Sequence, residues 1–199
     1  MKTKFTTLVS VVCLLFPVTQ QAQSFTTGID LGISKNSVAI SDIGNSFTNT
    51  VKGNNIMGIE GGLFERLNLG PVFIKPMLLA SYQGGTVTFY NNDGSVNSSK
   101  FNYGNVEVPL LFGFSILSVV RLEAGPVYNW IYATHYANDN SIRLEPSGLG
   151  YRVGANAELG PINFGVAYQG ITNKSSGLSN ATFSTPNELI FSLAFCFGK

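Results

Sequence analysis

The sequence predicts an all-β fold: an eight-stranded antiparallel up-and-down transmembrane β-barrel with short periplasmic turns and long outer loops. Apolar residues alternate with small or polar ones in eight separate segments, as expected for strands with one apolar face. The connections alternate strictly between long polar stretches and short turns, the asymmetry of outer-membrane barrels. After the N-terminus, no run approaches the roughly 20 apolar residues of a membrane helix.

Residues 1–22 have the pattern of a signal peptide. Lys2 and Lys4 give a basic start, residues 8–18 form an apolar core, and a small residue precedes the expected cut. A short buried helix fits this pattern less well. We therefore expect an exported chain with one β-barrel domain over residues 23–199. This domain has ten Lys and Arg and eleven Asp and Glu. The sequence shows no basic patch that could bind nucleic acid or anionic lipid.

The cysteines predict no cross-link. Cys13 lies inside the apolar core of the predicted signal peptide, in a poor context for lipid attachment. The mature chain keeps Cys196 alone, so an intramolecular disulfide is impossible. We therefore expect strand pairing to close the fold.

The first four predicted strands lie in the first 116 residues. They cover residues 25–33, 56–67, 72–89 and 103–116. Polar segments 34–54 and 91–99 are the predicted long loops. Residues 68–71, with the sequence NLGP, are a tight turn between the second and third strands. In the fourth strand the even-numbered residues from 106 to 116 are all apolar, whereas the odd-numbered ones include Glu107.

The last four predicted strands follow the same plan. They cover residues 119–135, 148–159, 162–171 and 189–198. Short turns lie at 117–118 and 160–161, and long polar segments at 138–147 and 172–186. The eighth strand alternates most strictly between large apolar residues and a second set of mostly small ones.

Three prolines interrupt this pattern. Pro76, Pro109 and Pro126 lie inside predicted strands, where each removes a hydrogen bond from the ladder. A closed barrel has no free edge at which such a loss is harmless. We therefore expect β-bulges at these three positions.

The composition of the two faces indicates which one points inward. The polar face is dominated by Gly, Ala, Ser and Asn, which suits a crowded lumen. It also carries five acids and four bases that could pair with one another: Asp30, Glu60, Arg66, Lys75, Glu107, Arg121, Glu123, Arg152 and Glu158. The apolar face has almost no charge, as expected where each Arg or Lys facing lipid costs about 2–4 kcal/mol. A soluble lipocalin-like barrel, with its apolar face inside, is the alternative.

Short segments spread over most of the mature chain support a family assignment. They are FIKPMLL at 73–79, YGNVEVPLLF at 103–112, GPVY at 125–128, GLGY at 148–151 and AYQGIT at 167–172. With them the sequence resembles the PorT-like outer-membrane β-barrel family of Gram-negative bacteria. The resemblance implies an eight-stranded outer-membrane barrel without an assigned activity. The chain departs from the family at Met77, where an acid is usual, and in ending Phe-Gly-Lys rather than on an aromatic residue.

The sequence gives little support for catalysis or metal binding. His135, near Asp139, could be an acid/base at the outer rim of an acyltransferase-like barrel, drawing on Asp42 or a loop serine. No nucleophile motif accompanies it, so an ordinary histidine at the base of a loop is favoured. One histidine and one cysteine on separate strands do not supply a metal site. We predict no catalytic residue, no cofactor and no metal.

These observations predict a monomeric, non-enzymatic protein of the cell outer membrane with a filled lumen. It would act in envelope structure, assembly or surface binding through its outer loops, with outer-membrane lipid and other envelope proteins as its partners and no nucleic acid. A small lipid-modifying barrel enzyme with His135 at its rim is the first alternative. A soluble lipocalin-like binding barrel is the second.

Overall fold

A computed structural model describes residues 24–36, 39–41, 52–90, 96–116, 119–136, 147–172, 182–184 and 187–197. The predicted signal peptide lies outside these residues, as does most of the long polar connections. The described residues fold into strands and turns, and they include no helix that is long and apolar enough to cross a membrane.

Ten strands make up the described part of the chain. They are β1 Ser24–Asn36, β2 Ala39–Ser41, β3 Lys52–Leu69, β4 Val72–Tyr90, β5 Val96–Ile116, β6 Val120–Tyr136, β7 Ser147–Leu159, β8 Ile162–Thr172, β9 Thr182–Ser184 and β10 Glu188–Phe197. The eight long strands each pair antiparallel with the next long strand in the sequence, and β1 pairs with both β3 and β10. This closes the barrel and confirms the predicted fold class. The short strands β2 and β9 pair with each other beyond the long-loop end of β3.

Several strands extend further at the long-loop end than the sequence analysis predicted. The β4–β5 hairpin stays paired as far as Tyr90 and Val96, so residues 96–99 of the predicted loop at 91–99 belong to a strand. Similarly, β3 begins at Lys52 rather than at residue 56. The sequence analysis ended these strands where the apolar alternation ends. Backbone pairing continues beyond that point because ladder hydrogen bonds do not require an apolar face.

The prediction of β-bulges at Pro76, Pro109 and Pro126 is wrong. The register is the same on both sides of each proline, and pairing with the preceding strand skips two positions before it resumes. A proline has no backbone N–H. In an antiparallel strand that N–H would bond to a single neighbouring strand, so its loss removes a ladder contact and requires no inserted residue. The register shifts lie instead between Asn54 and Met57 in the β3–β4 pairing and between Gly104 and Asn105 in the β5–β6 pairing.

The apolar face of the barrel points outward. Leu31 is 53% exposed, Phe112 51% and Phe164 53%, whereas the inward-facing neighbours on the same strands are buried or half-buried. Outward-facing aromatic side chains lie toward the long-loop end: Tyr82, Tyr128, Trp130, Tyr132 and Tyr168. A soluble lipocalin-like barrel would have the opposite arrangement, and that alternative is therefore wrong. An apolar belt with aromatic residues at its border is the exterior of a membrane barrel.

Candidate functional site in the barrel lumen

The middle of the lumen contains an ion-paired cluster centred on Arg152. Strand alternation points Arg152 of β7, Glu60 of β3 and Glu107 of β5 inward. The Arg152 Nη2 atom lies 3.0 Å from Glu60 Oε2 and 3.2 Å from Glu107 Oε2. All three side chains are buried, and Glu107 is fully so. One guanidinium thus pairs with both carboxylates and offsets part of the cost of keeping them charged away from water.

Amide side chains complete the hydrogen bonding of this cluster. Gln169 accepts from Arg152 Nε and donates from Nε2 to Glu107 Oε2 at 2.8 Å. Asn105 donates to Glu107 Oε1 at 2.6 Å and to Asn129 Oδ1 at 3.1 Å. A buried polar network is stable when its members are mutually satisfied, and this one links strands on several sides of the barrel.

Apolar side chains also fill the lumen, which the sequence analysis did not anticipate to this extent. One buried cluster consists of Phe64, Met77, Leu79, Leu111 and Ala194. Met77, where the resembled family usually has an acid, therefore lies in an apolar cluster rather than in an ion pair. Lys75 borders it, with Nζ 5.1 Å from the Phe64 ring centroid and 3.2 Å from Glu123 Oε1.

A third charged group lies at the end with the short turns. Arg66 Nη2 lies 3.1 Å from Glu158 Oε2, and Arg121 pairs with the same carboxylate. The Arg66 guanidinium also lies 5.9 Å from the centroid of the buried Phe73 ring. Glu158 is the penultimate residue of β7 and Arg121 the second residue of β6, so this group occupies the periplasmic mouth.

The nine charged residues singled out from the sequence all face the lumen. Eight are buried and Arg121 is half-buried. The structure brings eight of them together in ion pairs, in the three groups just described. Asp30 is the exception: it is buried but forms no ion pair with a described residue, and its Oδ1 accepts no hydrogen bond.

Sequence analysis missed one charged residue of the lumen, Glu188. It is buried at the start of β10, where it accepts hydrogen bonds from Asn36 at 3.0 Å and Gln83 at 2.7 Å. It precedes the strict alternation that begins at Leu189. Its parity with Ile190 and Ala194, which both point inward, would have identified it. Adding Glu188 to the five predicted acids gives six acids against four bases among the described lumen residues, a formal excess of two negative charges.

The structure provides little for the alternative of a rim enzyme. His135 lies in β6, opposite Asn102 of β5. Asp42 and Asp139, its suggested partners, lie outside the described residues. Within the described ranges, no group of three or more His, Cys, Asp or Glu side chains is placed to hold a metal ion.

The comparison with protein families agrees with this architecture. Residues 21–198 match the family described as outer membrane protein beta-barrel domain. The chain belongs to this family. It is therefore a protein of the cell outer membrane, as the sequence analysis predicted. No curated protein matches the sequence.

One solved structure supports the same fold. The outer membrane protein OprG from Pseudomonas aeruginosa is 14% identical, with 89% of this chain and 98% of that one covered and a TM-score of 0.57. Neisserial surface protein A is 15% identical, with 89% of this chain and 100% of that one covered and a TM-score of 0.45. Ail of Yersinia pestis was solved in complex with the heparin analogue sucrose octasulfate. It is 12% identical, with 87% of this chain and 99% of that one covered and a TM-score of 0.41. At such identities the likeness to OprG concerns the fold alone.

Proposed function

We propose that the protein is a non-enzymatic outer-membrane barrel with a closed lumen, which acts in envelope structure, assembly or surface binding through its outer loops. One observation supports this above all: the interior is filled by the chain's own side chains. Glu107, Leu111, Val127 and Gln169 come from three different strands, and each has 0% exposure. An eight-stranded barrel has an interior just wide enough for its side chains, so this packing supports a lumen without a solute path.

Charge pairing adds an energetic argument for closure. A solute that crossed the lumen would have to displace Arg152 from Glu60 and Glu107, and each freed charge would lack its partner in a poorly hydrated interior. Contacts with other molecules are then left to the surfaces outside the lumen. The long connections, which the sequence analysis predicts on the outer side, are the proposed contact surface.

We further propose that the protein belongs to the PorT-like group within its family and functions as a monomer. The segments that carry this resemblance include 73–79 and 103–112, which supply Lys75 and Glu107 to the lumen. Other envelope proteins and outer-membrane lipid are the proposed partners.

A photo-crosslinking experiment tests where the partners bind. A photoreactive amino acid at Asp93 or Gly177, in two of the long connections, is expected to give adducts with envelope components in intact outer membranes. The same amino acid at Pro71, in the short turn between β3 and β4, is the matched control and is expected to give none. Adducts from Pro71 alone would contradict the proposal and would place the working surface on the periplasmic side.

A further inference from the structure

Four polar side chains meet inside the barrel at its outer end. Asn36 of β1 lies directly opposite Glu188 of β10, and Gln83 of β4 lies directly opposite Tyr103 of β5. The Tyr103 hydroxyl donates to Gln83 Oε1, and Gln83 Nε2 donates to Glu188 Oε1 at 2.7 Å. Asn36 Nδ2 donates to both Glu188 Oε1 and Gln83 Oε1. Each of the four side chains is at most 4% exposed.

This cluster lies at the outer ends of β1 and β10. Asn36 is the last residue of β1, and Glu188 is the first residue of β10. The cluster therefore lies at the outer end of the β1–β10 pairing.

Glu188 is an acid without a counter-charge. The four bases of the lumen are all engaged elsewhere, in ion pairs with Glu60, Glu107, Glu123 and Glu158. Glu188 receives only two neutral amide donors and forms no ion pair with any described residue. A buried carboxylate in this position has to be neutralised by a bound cation or by a proton.

Two buried oxygen atoms in the cluster have no hydrogen-bond donor. They are Glu188 Oε2 and Asn36 Oδ1, on residues that face each other across the β1–β10 pairing. The orientation of the Asn36 amide follows from its surroundings, since Nδ2 faces two acceptors and a flipped amide would place three oxygens together. These two oxygens can therefore either coordinate a cation or accept a hydrogen bond from a donor.

We propose that Glu188 Oε2 and Asn36 Oδ1 bind a small monovalent cation of the alkali type inside the barrel, at the outer ends of β1 and β10. Gln83 and Tyr103 position the two ligands. Oxygen atoms prefer hard cations, and one carboxylate balances a single positive charge. A calcium or magnesium ion would keep a net positive charge beside this single carboxylate, and among the described residues no group of three or more His, Cys, Asp or Glu could hold such an ion. Sodium is the probe for the test.

The test is thermal unfolding of the folded barrel in detergent at mildly alkaline pH, with sodium chloride replaced by choline chloride at the same concentration. Sodium is expected to raise the unfolding midpoint of the wild-type protein by about 4 °C or more, because a ligand that binds only the folded state stabilises it. In Glu188→Gln the shift is expected to vanish. That variant stays folded because the new amide carries no charge and can donate to Asn36 Oδ1.

Two further variants keep the outcome clear. Asp30→Asn removes the other unpaired acid of the lumen and is the matched control, in which the sodium shift is retained. Asn36→Ala removes the second proposed ligand and is expected to reduce the shift. Equal midpoints in sodium and choline for the wild-type protein would overturn the proposal, as would a sodium shift that persists in Glu188→Gln. Stabilisation by acid alone, without a sodium effect, would also overturn it and would identify a proton as the neutralising species.

Discussion

Arg152→Met is expected to lower the free energy of unfolding of the barrel by about 3–5 kcal/mol, the usual cost of breaking a buried ion pair by removing one partner. The substitution leaves the carboxylates of Glu60 and Glu107 buried without a counter-charge and removes the donor to Gln169. Urea unfolding of the barrel refolded into lipid vesicles, followed by tryptophan fluorescence, measures the change.

Two variants separate this effect from simple loss of a positive charge. Lys100→Met removes a charge from an exposed side chain of β5, and a change within about 0.5 kcal/mol is expected. Combining Arg152→Met with Glu60→Gln and Glu107→Gln removes the uncompensated charges and is expected to recover most of the loss. An Arg152→Met barrel as stable as the wild type would show that the central ion pairs do not hold the interior together.

Gly62→Ala is expected to destabilise the barrel by about 1–3 kcal/mol, the range found when a methyl group is forced into a packed site. A Cβ atom on Gly62 would overlap the carbonyl oxygen of Leu78 in β4 and lie 2.8 Å from the Leu79 Cα. Both atoms belong to the backbone of a paired strand and cannot rotate away. The fraction of folded barrel on a heat-modifiability gel and its urea midpoint are the measurements.

The neighbouring glycine provides the control. The atom nearest to a Cβ on Gly61 is Leu31 Cδ2 at 3.1 Å, the end of a flexible side chain on the outward face. Gly61→Ala is therefore expected to cost well under half as much as Gly62→Ala. Equal effects at the two positions would mean that the loss comes from general strand propensity and not from the close approach of β3 and β4.

The sequence was sufficient to place side chains on a face of the barrel. Because strand alternation has a period of two, the parity of Glu107 and Arg152 within their strands is enough to place both in the lumen. Parity says nothing about height along the barrel axis. Which base meets which acid depends on the register and tilt of eight strands, so the double pairing of Arg152 with Glu60 and Glu107 could not be predicted.

The predictions that failed concern strand ends and backbone detail. Glu188 was missed because a carboxylate at the start of a strand has the same appearance as one at the end of a loop. The bulges predicted at Pro76, Pro109 and Pro126 are wrong because the loss of one N–H does not require an extra residue. Inward-facing Phe64 and Met77 belong to segments that are apolar on both faces, where parity alone does not separate lumen from lipid.

Single-channel recording in a planar lipid bilayer tests the closed lumen most directly. The purified, folded barrel is expected to give no stable conductance steps, because the Arg152 cluster and the apolar side chains fill the interior that ions would have to cross. Stable, reproducible single-channel conductance from the wild-type protein would contradict the account.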